Sequence, residues 1–138
     1  MNKEFIPYEQ ALELKNLGFN EECLAFYNST FQTPNELLYP QYGGEVGNWN
    51  IENHLISAPL YQQAFRWFRE KYDSSYWVQK DWEEGNFLGY EGTIEYLDGF
   101  RYCGTFNTYE EAELACLKKL IEIVKNDLGE YDNIQAGN

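Results

Sequence analysis

Positive charge is what this sequence is short of. Ten Lys and Arg stand against 23 Asp and Glu, a formal net charge of -13. Proteins that grip DNA or RNA do so largely through Lys and Arg on phosphates, so the balance argues against direct nucleic-acid binding. It argues against anionic membrane surfaces on the same ground. Histidine is nearly missing as well: His54 is the only one. No Cys-His or Ser-His pairing stands at an informative spacing, and one histidine makes a poor transition-metal site. The three cysteines, Cys23, Cys103 and Cys116, are odd in number, widely spaced and without a C-x-x-C. That argues against a disulfide framework or a zinc knuckle. No run approaches the roughly 18 apolar residues of a membrane span. The opening MNKEFIPYEQ has no apolar core of a secretory signal. The expectation is a cytoplasmic protein with no cofactor.

Aromatic residues are what the chain has in plenty, 18% of a 138-residue sequence, far more than an acidic disordered tail carries. That length suits one domain with a buried core. Negative charge on a folded domain permits a basic partner, including the groove of a nucleic-acid-binding protein. It also serves plain solubility.

The order of elements reads α-β-loop-α-β-β-β-α, an α+β class. Pro7–Leu17 forms a first helix, with Pro7 in its first turn and Gly18 just past its end. Cys23–Tyr27 is a short strand. Residues 28–55, with Pro34, Pro40, Gly43, Gly44 and Gly47, read as a long loop with a short hairpin near Gly43-Gly44. Its charges, Glu36, Glu45 and Glu52, have no basic neighbour in the sequence. Ser57–Tyr72 reads as a second helix capped by Ser57 with Pro59 in its first turn. Leu60, Tyr61, Ala64, Phe65, Phe68 and Tyr72 form its apolar stripe.

A three-stranded antiparallel meander follows: Ser75–Glu83, Phe87–Leu97 and Phe100–Phe106. Glu84-Gly85-Asn86 makes one turn, and Asp98-Gly99 supplies a type I′ turn. In the second strand Leu88, Tyr90, Ile94 and Tyr96 alternate with Gly89, Glu91, Thr93 and Glu95, giving one apolar and one acidic face. Gly89 and Gly92 lie inside a strand, where bulges or close backbone approach explain them better than a phosphate loop. Thr108–Leu128 is the last helix, with a Thr108/Glu111 capping box and Gly129 at its end. Residues 129–138 read as a flexible tail.

Two resemblances accompany this reading. Pro59–Leu128, as helix, three antiparallel strands and helix, is similar to the topology of double-stranded-RNA-binding domains. That family grips phosphate with a Lys-rich start to its last helix. Here the matching place reads Thr108-Tyr109-Glu110-Glu111-Ala112-Glu113. The charge is reversed, and the RNA-binding residues do not carry over. The segments EFIPYEQALELKNLGF, PLYQQAFRWFREKY and TYEEAELACLKKLIEIVK resemble a family of small uncharacterised proteins of phages and mobile elements in Bacteroides-type and Flavobacterium-type bacteria. That resemblance implies an accessory factor of a phage or prophage, with anti-CRISPR and other anti-defence proteins as the comparison.

The candidate interaction residues are Asp81, Glu83, Glu84, Glu91 and Glu95 with Trp77 and Trp82 on the meander, and Trp49 in the long loop. An outward aromatic ringed by acids has the composition of a protein-binding hot spot. Trp77 alternates with Tyr76 and Val78, so one of those two sets faces outward. The expected partner is a basic protein surface, such as the channel of a CRISPR or other nucleic-acid-binding effector. Competing readings are a small hydrolase or ligand-binding domain using His54 and loop carboxylates, and a virion or assembly part. No D-x-D-x-D-G or P-loop pattern supports a metal or nucleotide on the carboxylates.

Overall fold

A computed structural model describes residues 2–41, 44–97 and 99–136. It is an α+β arrangement with a two-stranded and a three-stranded antiparallel sheet. The chain divides into two compact units, Met1–Trp67 and Phe68–Asn138.

In the first unit, helix α1 spans Tyr8–Asn16. Gly18, at φ 96°, ends it in the left-handed conformation that glycine takes without a Cβ penalty. Phe19 N–H then reaches the carbonyl of Leu14 at 2.9 Å, and Gly18 N–H that of Lys15 at 3.0 Å, so the last turn is closed by a Schellman pattern. Strand β1, Ala25–Asn28, pairs antiparallel with β2, Leu55–Ala58.

Strand β2 corrects the sequence reading, which placed Ser57 at the head of a helix. Ser57 is opposite Phe26 in the sheet, and its hydroxyl accepts from the backbone N–H of Trp49 at 3.0 Å. Helix α2 begins later, at Tyr61, and runs to Tyr72. A Ser at the expected start and a Pro two positions inside it mimicked a helix cap, but sheet pairing took the segment.

The segment from 28 to 55 is fastened along β1 rather than hanging free. Phe26 and Leu38 exchange backbone hydrogen bonds at 2.9 and 2.8 Å. Cys23 and Gly47 do the same at 2.9 and 3.1 Å. A 3-10 turn, Trp49–Ile51, follows. The expected hairpin tip includes Gly43, which lies outside the described residues. Although no base neighbours this stretch in sequence, Lys15 reaches it from α1. Its ammonium donates to the carbonyls of Glu52 (2.7 Å), Asn53 (3.2 Å) and Leu55 (2.7 Å). The core here holds Ile6, Ala11, Leu14, Phe19, Cys23, Ala25 and Ile56, and Tyr27 donates its buried hydroxyl to the Ile6 carbonyl at 2.8 Å.

In the second unit, β3 (Ser75–Glu83), β4 (Asn86–Tyr96) and β5 (Gly99–Phe106) form the expected meander in the order β3-β4-β5. Glu83 pairs with Asn86, and both residues between them have positive φ, 51° at Glu84 and 81° at Gly85. That is the mirror-type two-residue turn a twisted hairpin prefers. In the second hairpin Tyr96 pairs with Gly99, so Gly99 belongs to the strand and not to the expected Asp98-Gly99 turn. Leu97 takes φ 57° there, and Asp98 is outside the described residues.

Helix α3, Tyr109–Ala136, lies on one face of this sheet. Thr108 caps it as expected: Glu111 N–H donates to the Thr108 hydroxyl at 3.1 Å, and that hydroxyl in turn donates to the Glu111 carboxylate at 3.0 Å. The helix does not stop at Gly129. One exposed glycine costs about 1 kcal/mol against alanine, too little to break a 28-residue helix with no proline behind it. The place of closest packing is Gly92 on β4, where a Cβ would stand 2.8 Å from Cys116 Sγ and 3.0 Å from the Ala112 carbonyl oxygen. Ile94, Ala112, Cys116, Leu117, Leu120 and Val124 are fully buried in this unit.

Candidate functional site: the open face of the meander

Successive side chains of a strand point to opposite faces, and directly paired residues share a face. The register therefore assigns every side chain. Tyr76, Ile94 and Arg101 form one row, and Gly92, opposite Gly104, is where α3 settles. This is the helix face. The Tyr76 hydroxyl donates to the Glu113 carboxylate of α3 at 3.1 Å, which anchors the row. Burial pushes the Glu113 carboxyl above its ordinary range; the Tyr76 hydrogen bond opposes this and the charge of Glu110 adds to it.

The opposite face carries the rows Ser75–Glu95–Phe100, Trp77–Thr93–Tyr102 and Gln79–Glu91–Thr105. Asp81 opposite Gly89, and Glu83 opposite Asn86, extend it toward the hairpin tip. Among the described residues no helix covers the aromatics in its middle. Trp77 is 37% exposed, Phe100 65% and Tyr102 61%. Trp77 meets Phe100 edge to face across the central strand, with centroids 5.8 Å apart and rings at 72°. The Tyr102 and Thr105 hydroxyls share a 2.6 Å hydrogen bond. Thr93, between Trp77 and Tyr102 in the row, is 9% exposed.

Charge is segregated across this sheet. The two basic residues of the strands, Lys80 opposite Tyr90 and Arg101 opposite Ile94, fall on the helix face. The open face holds Glu91 and Glu95, one on each side of the Trp77–Thr93–Tyr102 row, together with Asp81 and Glu83. Glu91 and Glu95 are separated by about 13 Å along the strand. The ion pairs seen among the described residues, Arg66–Glu21 at 3.4 Å and Lys119–Glu122 at 3.8 Å, involve none of these acids.

The structure thus brings together Trp77, Asp81, Glu83, Glu91 and Glu95 from the sequence-derived set. It puts the other three elsewhere. Glu84 sits in the turn itself. Trp82 shares its row with Phe87, because Leu88 is an extra residue in β4 between paired Phe87 and Gly89. Their rings are 5.2 Å apart, and Phe87 continues to Tyr90 (5.4 Å) and Tyr90 to Tyr109 of α3 (6.2 Å). Trp82 therefore belongs to the helix face. Trp49 belongs to the first unit and is held there: its indole N–H donates to the Cys23 carbonyl at 3.0 Å, and its ring packs on Phe26 at 4.9 Å.

Sequence reasoning missed Phe100 and Tyr102. The signal was present. Either hairpin register, with the turn at 97–98 or at 98–99, puts both on the face of Glu95, so carrying the alternation into the third strand would have found them.

His54, the residue on which a hydrolase reading turns, is exposed. Its backbone carbonyl accepts from the Ser29 N–H at 2.9 Å and hydroxyl at 3.1 Å. Among the described residues no group of three or more His, Cys, Asp or Glu is placed to hold a metal ion. No described helix is long and apolar enough to cross a membrane. No protein family, no curated protein and no solved structure matches this chain.

Proposed function

We propose that this chain is a non-enzymatic binding factor whose open sheet face docks on a basic protein surface. The observation that supports this best is the pairing of an exposed aromatic trio, Trp77, Phe100 and Tyr102, with carboxylates of one sign on the same face, while the strand cations lie on the other. Large aromatic rings provide the desolvated contact area of a hot spot, and a like-signed rim selects and steers the partner. The partner class we infer is a nucleic-acid-handling effector, whose Lys and Arg would meet carboxylates in place of phosphates. Inhibition of a CRISPR or other host defence effector by a phage or prophage protein is the biological setting proposed for it.

The test is capture from a bacterial host lysate by the tagged full chain, read by mass spectrometry at low and moderate salt, beside the double variant Glu91→Lys/Glu95→Lys and the single variant Trp77→Ala. The expected result is one nucleic-acid-processing protein recovered at low salt, depleted at moderate salt and lost with both variants. Equal recovery with the charge-reversed chain would remove the electrostatic mechanism. Equal recovery with Trp77→Ala would move the contact off this face.

A further inference from the structure

Three cysteines are free, and two of them are brought together by the way β5 bulges against α3. Gly92 of β4 pairs with Gly104, and the next residue, Thr93, pairs with Tyr102, so Cys103 is the extra residue between two paired neighbours. Such a bulge re-aims the side chain it carries. Cys116 arrives at the same spot from the helix. Its Sγ would stand 2.8 Å from a Cβ at Gly92, and it donates to the Thr93 carbonyl at 3.8 Å. Both positions fix it over the step of β4 that faces the Cys103 bulge. The register thus sets the Cys103 bulge beside Cys116, and each thiol shifts the pKa of the other, that of Cys103 downward and that of Cys116 upward.

Their surroundings divide the labour between them. Cys116 is fully buried, while Cys103 is only half-buried and so open to a small reagent. The hydrogen-bonding influence of Cys116 lowers the Cys103 thiol from its usual range, burial opposes this, and the Lys119 ammonium lowers it further. A thiolate is the reactive form, and a nearby cation favours it. Cys23 is unlike both: it is buried in the first unit, and burial pushes its thiol up to about 12, with the Glu21 charge adding to this.

We propose that Cys103 and Cys116 are a dithiol–disulfide pair, closed by peroxide-class oxidants and reopened by thiol reductants. The Cys103 thiolate attacks one oxygen of hydrogen peroxide; the O–O bond breaks, hydroxide leaves and takes up a proton to become water, and Cys103 becomes a sulfenic acid. The Cys116 sulfur then attacks the Cys103 sulfur. The S–O bond breaks, the thiol proton goes to the departing hydroxide, and a second water is released. Two thiols are oxidised and one peroxide is reduced to two waters. The bond ties the N-terminal half of α3 to β5, next to the strand residues Phe100 and Tyr102.

The experiment treats the native full-length chain with hydrogen peroxide, blocks remaining thiols with an alkylating reagent, and maps peptides. Cleavage after Arg101 and Lys118 leaves both cysteines on one peptide. The expected result is that peptide lighter by two hydrogens and unalkylated, its halves still joined after a second cut at the intervening glutamates, with Cys23 alkylated only after unfolding. Dithiothreitol restores both thiols. Cys103→Ser, at a half-buried position, abolishes the bond and keeps the folded far-ultraviolet spectrum, so the outcome does not depend on a Cys116 variant folding. A Cys103 that overoxidises without linking, a bond involving Cys23, or a link only between two chains would overturn the proposal.

Discussion

The ammonium of Lys15 donates at 2.7 Å to the carbonyl oxygen of Leu55, forty residues further along the chain. Two more carbonyls, those of Glu52 and Asn53, complete its three donors. One side chain of α1 thereby fixes the entry to β2. Burial lowers the Lys15 ammonium from its usual range. Lys15→Met keeps the stem and removes the donors. Charged hydrogen bonds contribute about 1.5–3 kcal/mol when shielded and less in part-exposed places, so a loss of roughly 1–2 kcal/mol is expected. Urea denaturation checks this, and an unchanged midpoint would assign the carbonyls to water.

Alkaline pH should weaken the fold. Burial raises the phenol of Tyr27 to about 12, with the nearby Tyr39 adding to this. Burial also raises Tyr96 to about 12, with the hydrogen bond to Asp127 and its charge contributing. Tyr72, Tyr76 and Tyr109 are raised as well, burial coming first in each case. A raised folded value means that the folded state holds protons the unfolded chain has released. The stabilisation is complete below pH about 10, the unfolded value, and is lost as pH rises through 12. Absorbance at the tyrosinate band, followed beside circular dichroism, should show exposed tyrosines titrating first. The buried set should ionise only as helix signal disappears. A single transition near 10 with the fold intact would contradict the burial argument.

Gly92→Ala should be costly although its backbone imposes no left-handed requirement. The new methyl would meet Cys116 Sγ at 2.8 Å and the Ala112 carbonyl oxygen at 3.0 Å. Overpacking of this kind costs about 1–3 kcal/mol. The paired variant Gly92→Ala/Cys116→Ala removes one of the two clashes and should recover part of the loss in thermal unfolding. Equal midpoints for the single and double variants would show that the helix backbone, not the thiol, sets the spacing.

Leu97 is a branched residue at φ 57° and 68% exposed, so it bears conformational strain without a buried contact in return. A left-handed conformation costs an ordinary L-residue roughly 1–2 kcal/mol, which asparagine and glycine largely avoid. Leu97→Asn and Leu97→Gly should each raise stability by about 0.5–1 kcal/mol, read as a higher midpoint in denaturant. A lower midpoint with both would mean that the leucine side chain contributes contacts of its own.

The meander was legible because its information is local. Turn residues at Glu84-Gly85, alternation along Leu88–Tyr96 and the Thr108/Glu111 box each speak within a few residues. Leu88 shows the limit of that logic: the pattern puts it with Tyr90, but the bulge turns it out, and it is 48% exposed. The first unit was far less readable. Nothing beside Leu55-Ile56-Ser57-Ala58 says that its partner is Ala25–Asn28, and Ser57 with Pro59 spells a helix start. On the open face, Trp77 and the two central glutamates followed from alternation. Alternation also decides Trp82: five residues from Trp77 on an unbroken strand, it faces the other way, and the extra residue in β4 sets only which rings it stacks against. Trp49 looked available because a loop was expected, yet its indole N–H is committed to the Cys23 carbonyl.

The successive fastenings along β1 also imply an order of assembly. Phe26 closes on Leu38, Cys23 on Gly47, and the strand itself on Leu55–Ala58, each partner lying further along the chain. The entropy lost in closing a loop grows with the logarithm of its length, and a loop already pinched is effectively shorter. The near contact therefore lowers the barrier for the middle one, and the middle for the far. The stretch that resembles a passive connection is the track along which the small sheet finds its second strand, and shortening or stiffening it would change the folding rate before it changed the folded state.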